Sequence, residues 1–120
     1  MDVLIVEDDP DNRDMLARRF MRAGYDAGVA SAGAEAFEIA IAARPRAIVL
    51  DIGLPDMSGL EVIALVRSTR TIAATPIVVV TADGLLERQC VTAGCDAFRL
   101  KPVDFPELLQ VVVGLLARRA

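Results

Sequence analysis

Val3-Leu4-Ile5-Val6-Glu7-Asp8-Asp9-Pro10 begins as an unbroken aliphatic run and breaks into three consecutive acids, and Ala47-Ile48-Val49-Leu50-Asp51 repeats the plan with one aspartate. Aliphatic residues without polar alternation mark a strand covered on both faces, which places both runs inside a parallel sheet. Carboxylates set side by side at the ends of such strands repel by roughly 3 kcal/mol per pair at about 5 Å and an effective dielectric near 20. A cluster of this kind needs a divalent cation or a proton.

Outward from these two runs, strand-like segments recur at Asp2–Val6, Asp26–Ala30, Ala47–Asp51, Pro76–Thr81 and Asp96–Leu100, each followed by a helical segment. The alternation predicts a (βα)5 chain. Helix punctuation agrees with it. Asp9 stands before Pro10 as an N-cap stands before a first-turn proline, and Asp104 and Glu107 have capping-box spacing. Gly24 and Gly94 fall where helices should stop, inside the echoed phrases Ala23-Gly24-Tyr25-Asp26-Ala27 and Ala93-Gly94-Cys95-Asp96-Ala97. The echo reads as shared helix-to-strand geometry, not common ancestry.

The most aliphatic runs, Val3–Val6, Ile48–Leu50 and Ile77–Val80, predict the central strands, and the weaker Asp26–Ala30 and Ala97–Leu100, with Arg99 inside, the edges. Right-handed crossovers then leave the order 2-1-3-4-5, the flavodoxin-like doubly wound α/β sheet. Strands 1 and 3 become neighbours about 4.8 Å apart, and Asp8 and Asp51 converge where the winding reverses. Thr81 at the end of strand 4 and Lys101, before Pro102, at the end of strand 5 share that sheet edge. An acidic cluster holding Mg²⁺, a hydroxyl donor and a lysine charge together form a receptor for a transferring phosphoryl group, with Asp51 as nucleophile.

Composition narrows the alternatives. A chain of 120 residues, 54% apolar, fits one domain over residues 1–120. Thirteen basic against 17 acidic residues give a net charge of −4, contrary to direct nucleic-acid binding. No apolar stretch reaches the roughly 18–20 residues of a membrane span, and the amino terminus is acidic where a signal peptide is basic, so a cytoplasmic location without membrane contact is expected. With no histidine in the chain, Ser-His-Asp and Cys-His catalysis, histidine-ligated zinc and a phosphohistidine-carrier role all fall away. Hard oxygen donors remain, and they favour magnesium or calcium. Cys90 and Cys95 read as small buried thiols, and the pairs Arg18-Arg19 and Arg118-Arg119 as solvated helix faces.

The motifs Leu4-Ile5-Val6-Glu7-Asp8-Asp9, Leu50-Asp51-Ile52-Gly53-Leu54-Pro55-Asp56-Met57-Ser58-Gly59, Thr81-Ala82 and Lys101-Pro102, in this order and spacing, resemble the receiver domains of bacterial two-component response regulators, the CheY-like superfamily. The resemblance covers essentially the whole chain. It implies a phosphoacceptor signalling domain, not an enzyme acting on other substrates, in which Asp51 takes a phosphoryl group from a histidine kinase or histidine phosphotransfer protein. Mg²⁺, with Mn²⁺ as a substitute, would be held by Asp8 directly, by Glu7 more loosely, by Asp51 and by the backbone carbonyl of Gly53. Asp9 would instead cap helix 1. Lys101 would hold the phosphate and Asp51. Thr81 and Phe98 would form the switch, read out by a downstream protein, or by phosphorylation-linked homodimerisation, through helix 4, strand 5 and helix 5.

Three positions depart from the commonest pattern: Phe98 stands where tyrosine is frequent, and Gly53 and Asp83 occupy places thought to tune loss of the phosphoryl group. Pro55 and Gly59 read as turn formers after Asp51. Helix 5, Glu107 to Arg119, carries more apolar residues than one buried stripe needs, so part of its surface is expected to face a partner. A stand-alone receiver is the leading expectation. A receiver cut from a larger regulator or hybrid kinase and a phosphorylation-independent pseudo-receiver are its alternatives. A dehalogenase-like phosphohydrolase would need an aspartate where Gly53 stands, and a nucleotide or flavin site would need a glycine-rich loop after strand 1.

Overall fold

The computed structural model describes residues 1–119, without the Arg119 side chain, so the expectation that the Arg119 side chain is solvated lies outside what is described. Along the chain run β1 (Val3–Val6), α1 (Pro10–Arg22), β2 (Ala27–Ala30), α2 (Gly33–Ala43), β3 (Ala47–Leu50) and α3 (Gly59–Ser68). They are followed by β4 (Ile77–Thr81), a 3-10 turn (Gly84–Leu86), α4 (Glu87–Ala93), β5 (Ala97–Leu100) and α5 (Phe105–Arg119). The five strands are parallel and ordered β2-β1-β3-β4-β5, as the distribution of aliphatic residues predicts.

Successive side chains of a strand point to opposite faces, so each central strand feeds two cores. Leu4, Val6, Ile48, Leu50, Ile77 and Val79 meet Ala36, Ala40, Val62, Ile63, Val66 and Cys90 of α2, α3 and α4. Val3, Ile5, Val49, Val78 and Val80 meet Leu16 and Phe20 of α1 and Leu108, Val112 and Leu116 of α5. Register places Val6 beside Leu50, and the Asp51 N–H still donates to the Val6 carbonyl at 3.0 Å. Acids just beyond both strands are thereby set side by side.

Four strands begin one residue later than the sequence predicts, and the reason is visible in three of them. The Asp2 carboxylate accepts the Asp26 N–H at 2.7 Å, the Asp96 carboxylate accepts the Ile77 N–H at 2.8 Å, and Pro76 has no N–H to give. The echoed phrases are geometrically alike. Tyr25 N–H reaches the Phe20 carbonyl and Cys95 N–H the Cys90 carbonyl, each at 3.0 Å, around Gly24 (φ +95°) and Gly94 (φ +115°). These are paired Schellman closures, and the positive φ at their centres favours glycine.

Two capping expectations are corrected. Asp9 occupies the N-cap of α1 with extended backbone, but its side chain makes no capping bond; its own N–H instead points to Glu7 Oε2 at 3.4 Å. Asp104 Oδ1 does accept the Glu107 N–H at 3.4 Å. The reciprocal half of that box is missing, because Glu107 takes the Arg99 Nε–H at 2.9 and 3.0 Å instead.

Candidate functional site

The carboxyl end of β1 delivers Glu7 and Asp8, that of β3 delivers Asp51, and that of β5 delivers Lys101. Carboxylate oxygens of Glu7, Asp8 and Asp51 lie within 4.8 Å of one another. Lys101 Nζ donates to Glu7 Oε1 at 2.5 Å and to Asp51 Oδ2 at 2.8 Å. Burial falls across the cluster, from a Glu7 side chain only 4% exposed, through Asp51 at 12%, to Asp8 at the surface.

Burial pushes the Glu7 carboxyl above its ordinary value; the Lys101 hydrogen bond opposes this and the neighbouring Asp51 adds to it. Burial would by itself lower Lys101, yet its bonds to Asp51 and Glu7 outweigh that and hold the ammonium charged. One ammonium against three carboxylates leaves net negative charge at the sheet edge. Mg²⁺ binds hard oxygens at about 2.0–2.1 Å, so two of its ligands stand no more than roughly 4.2 Å apart. The cluster fits that demand after a contraction of a few tenths of an ångström.

The loop after Asp51 is tightly folded. Gly53 N–H donates to Asp51 Oδ1 at 3.3 Å, Gly53 and Ser58 form an antiparallel bridge, and Gly59 N–H donates to the Ile52 carbonyl at 2.8 Å. A Cβ on Gly59 would stand 2.6 Å from the Asp51 carbonyl oxygen, so the approach of α3 to the site requires glycine there. Ser58 Oγ caps α3 by accepting the Leu60 N–H at 3.1 Å.

Thr81 is buried at the end of β4, with its hydroxyl accepting the Asp83 N–H at 3.3 Å and its carbonyl the Lys101 N–H at 2.9 Å. Phe98 is not part of the acid cluster; it packs, half-buried, on the core beneath α2, α3 and α4. Of the two thiols, Cys90 is buried and Cys95 half-buried, and burial pushes Cys95 up to about 11.

Two features lie beyond what the sequence reading found. Glu7 and Lys101 are direct partners across 94 residues of chain. Asp56, in the loop after Asp51, accepts the Gly33 N–H at 2.7 Å and the Ala34 N–H at 2.9 Å at the start of α2. The N-cap position of α2 is Ala32, whose side chain has no acceptor, and that was the one signal in the sequence that a distant residue must supply it.

The family model of the response regulator receiver domain matches residues 3–113. The response regulator MprA of Mycobacterium leprae is 40% identical over 98% of this chain and 52% of its own length. The chain thus spans about half the length of the curated relatives it matches. Among solved structures, the response regulator TrrA from Thermotoga maritima, in complex with Mg²⁺-BeF, superposes with a TM-score of 0.86 and 29% identity over 96% of this chain and 99% of that one. The receiver domain of the sensor histidine kinase PA1611 from Pseudomonas aeruginosa, with magnesium coordinated in its active-site cleft, gives a TM-score of 0.89 and 26% identity over 97% of each chain.

Proposed function

The chain belongs to the response regulator receiver domains of two-component signalling, and from that premise we propose that it is a phosphorylation-controlled switch whose phosphoacceptor is Asp51. One observation carries the reading: three carboxylates from two neighbouring central strands meet at one sheet edge, with Lys101 Nζ 2.8 Å from the carboxylate of Asp51. Asp51 attacks the phosphorus of a phosphohistidine on a kinase or phosphotransfer protein; the P–N bond breaks, the imidazole leaves, and an acyl phosphate remains on Asp51. Lys101 keeps its charge and steadies both Asp51 and the incoming phosphoryl oxygens.

Glu7, Asp8, Asp51 and the Gly53 carbonyl would hold Mg²⁺, or Mn²⁺ in its place. When bound, the ion supplies positive charge that neutralises the carboxylates and the phosphoryl oxygens. After transfer, the Thr81 hydroxyl gives up the Asp83 N–H and turns to the phosphate, and Phe98 moves inward, shifting the population between two packings. The output face comprises α4, β5 and α5, where Leu85, Val91, Leu100 and Val113 are exposed apolar side chains on or beside these elements. That face would bind a downstream protein or, once phosphorylated, a second copy.

Residues 1–120 act in this reading as one receiver unit working in the cytoplasm, and its output lies in another protein segment or partner. Incubation with Mg²⁺ and acetyl phosphate, followed by intact-mass measurement beside Asp51→Ala, tests the chemistry. The expected result is a gain of about 80 Da that requires both metal and Asp51. No gain, with Mg²⁺ bound and a stable phosphate mimic also failing to bind, would reject the switch.

A further inference from the structure

The Asp56 carboxylate joins the loop after Asp51 to the first turn of α2. The loop from Gly53 to Ser58 is closed at its base by the bridge between those two residues, and its tip is held at the far side by the Asp56 carboxylate on Gly33 and Ala34 N–H. A Cβ at Gly33 would overlap the Met57 side chain, so tip and helix are also packed together. The hydrogen bonds from Ala34 and Gly33 hold the Asp56 carboxyl below its ordinary value even though the residue is exposed. α2 in turn packs on the core built from Leu4 and Val6 of β1, the strand that ends in Glu7 and Asp8. A chain of contacts therefore runs from one side of the acid cluster, through α2 and Asp56, to the loop that carries Asp51 and Gly53.

We propose that Asp56 is a positioning residue for the cation site, a latch that fixes the Asp51–Ser58 loop against α2 and so orders the Gly53 carbonyl and Asp51 before the ion arrives. This inference rests on the receiver chemistry proposed above. Without the latch, the loop must be ordered at the moment of binding, and that cost appears as lost affinity. By thermodynamic reciprocity, any factor by which the latch strengthens cation binding is the factor by which the cation strengthens the latch.

The test uses Mg²⁺ alone, titrated calorimetrically into the wild-type protein, Asp56→Asn and Asp56→Ala. Asp56→Ala is expected to bind roughly five- to tenfold more weakly, the scale of lost charge-assisted hydrogen bonds at an exposed site. Asp56→Asn keeps one acceptor oxygen and falls between. In the wild type, saturating Mg²⁺ should slow amide exchange of Gly33 and Ala34 by the same factor, a response that a helix cap unconnected to the site would not give. If Asp56→Ala does not fold, Asp56→Asn and the wild-type exchange rates decide the matter. Wild-type affinity in both variants, with Gly33 and Ala34 exchange indifferent to Mg²⁺, overturns the latch while Asp51 phosphorylation still stands. A wild-type protein that takes up no Mg²⁺ overturns the latch and the receiver chemistry together.

Discussion

Glu7 is the residue on which stability and the proposed cation binding pull apart. Its carboxyl is buried beside Asp51 and is raised above its ordinary value of 4.5, so the fold holds a proton there more tightly than a free carboxyl does. For a raised carboxyl, the folded state binds the proton more readily than the unfolded one. Its favourable contribution is therefore complete below the unfolded value and is lost as pH rises through the folded one. Glu7→Gln keeps the acceptor oxygen for Lys101 and removes the titration. In metal-free buffer at pH 7 the variant should be more stable than the wild type by on the order of 1 kcal/mol, an advantage that vanishes below pH 4.5. Urea denaturation at the two pH values checks this, and a variant less stable at pH 7 would contradict it. Mg²⁺ affinity should fall in the same variant, since a carboxylate oxygen facing the site has become an amide. The sequence showed that the acids would meet. It did not show which one would be buried, because depth depends on how α1 and the segment after β5 close over the sheet edge.

Among the elements, α3 is tied down by one side chain at its last turn. Arg67 donates to the carbonyls of Gly94 at 2.9 Å, Ala73 at 3.0 Å and Thr75 at 2.6 Å, and to Asp96 Oδ2 at 2.9 Å. The planar fork of a guanidinium can serve these partners at once, whereas a lysine ammonium is a single point. Arg67→Lys should cost about 2–3 kcal/mol by leaving partly buried acceptors unpaired. The expected signature is a lower urea midpoint with an unchanged slope, and a midpoint within error of the wild type would show the hub to be redundant. The strands were legible because a doubly covered strand writes its burial into consecutive residues, and Gly24 and Gly94 because a left-handed stop selects glycine locally. Arg67 and Asp56 were not, since their partners lie 6 to 29 and 22 to 23 residues away. Asp9 and Glu107 misled for a related reason: the local rule identified acceptors with the right spacing, but the Asp9 side chain makes no capping bond and Arg99 engages Glu107 instead.

The whole molecule uses acidic side chains in opposite ways at the two ends of one sheet. Where strands begin, Asp2 pairs with Arg46 at 3.3 Å and Asp96 with Arg67 at 2.9 Å; Asp2 also accepts the Asp26 N–H just before β2, and Asp96 the Ile77 N–H of β4. Where β1 and β3 end, the carboxylates of Glu7, Asp8 and Asp51 cluster, and Lys101 pairs with two of them, Glu7 and Asp51. The first set is neutralised by folding, and the second is neutralised only in part. Binding of a cation to the folded state alone must then stabilise the fold, by about 2.7 kcal/mol when the free ion is at 100 times its dissociation constant. For a domain of this size that corresponds to a rise in melting temperature of roughly 10 °C over the same protein in chelator. Asp51→Asn separates repulsion from ligation. With one charge fewer, its melting temperature in chelator should lie above that of the wild type, while its gain on adding Mg²⁺ should be smaller, so the two proteins converge or cross as Mg²⁺ is added. Melting curves that ignore Mg²⁺, or an Asp51→Asn variant that melts below the wild type in chelator, would mean that the sheet edge carries no uncompensated charge for a cation to neutralise.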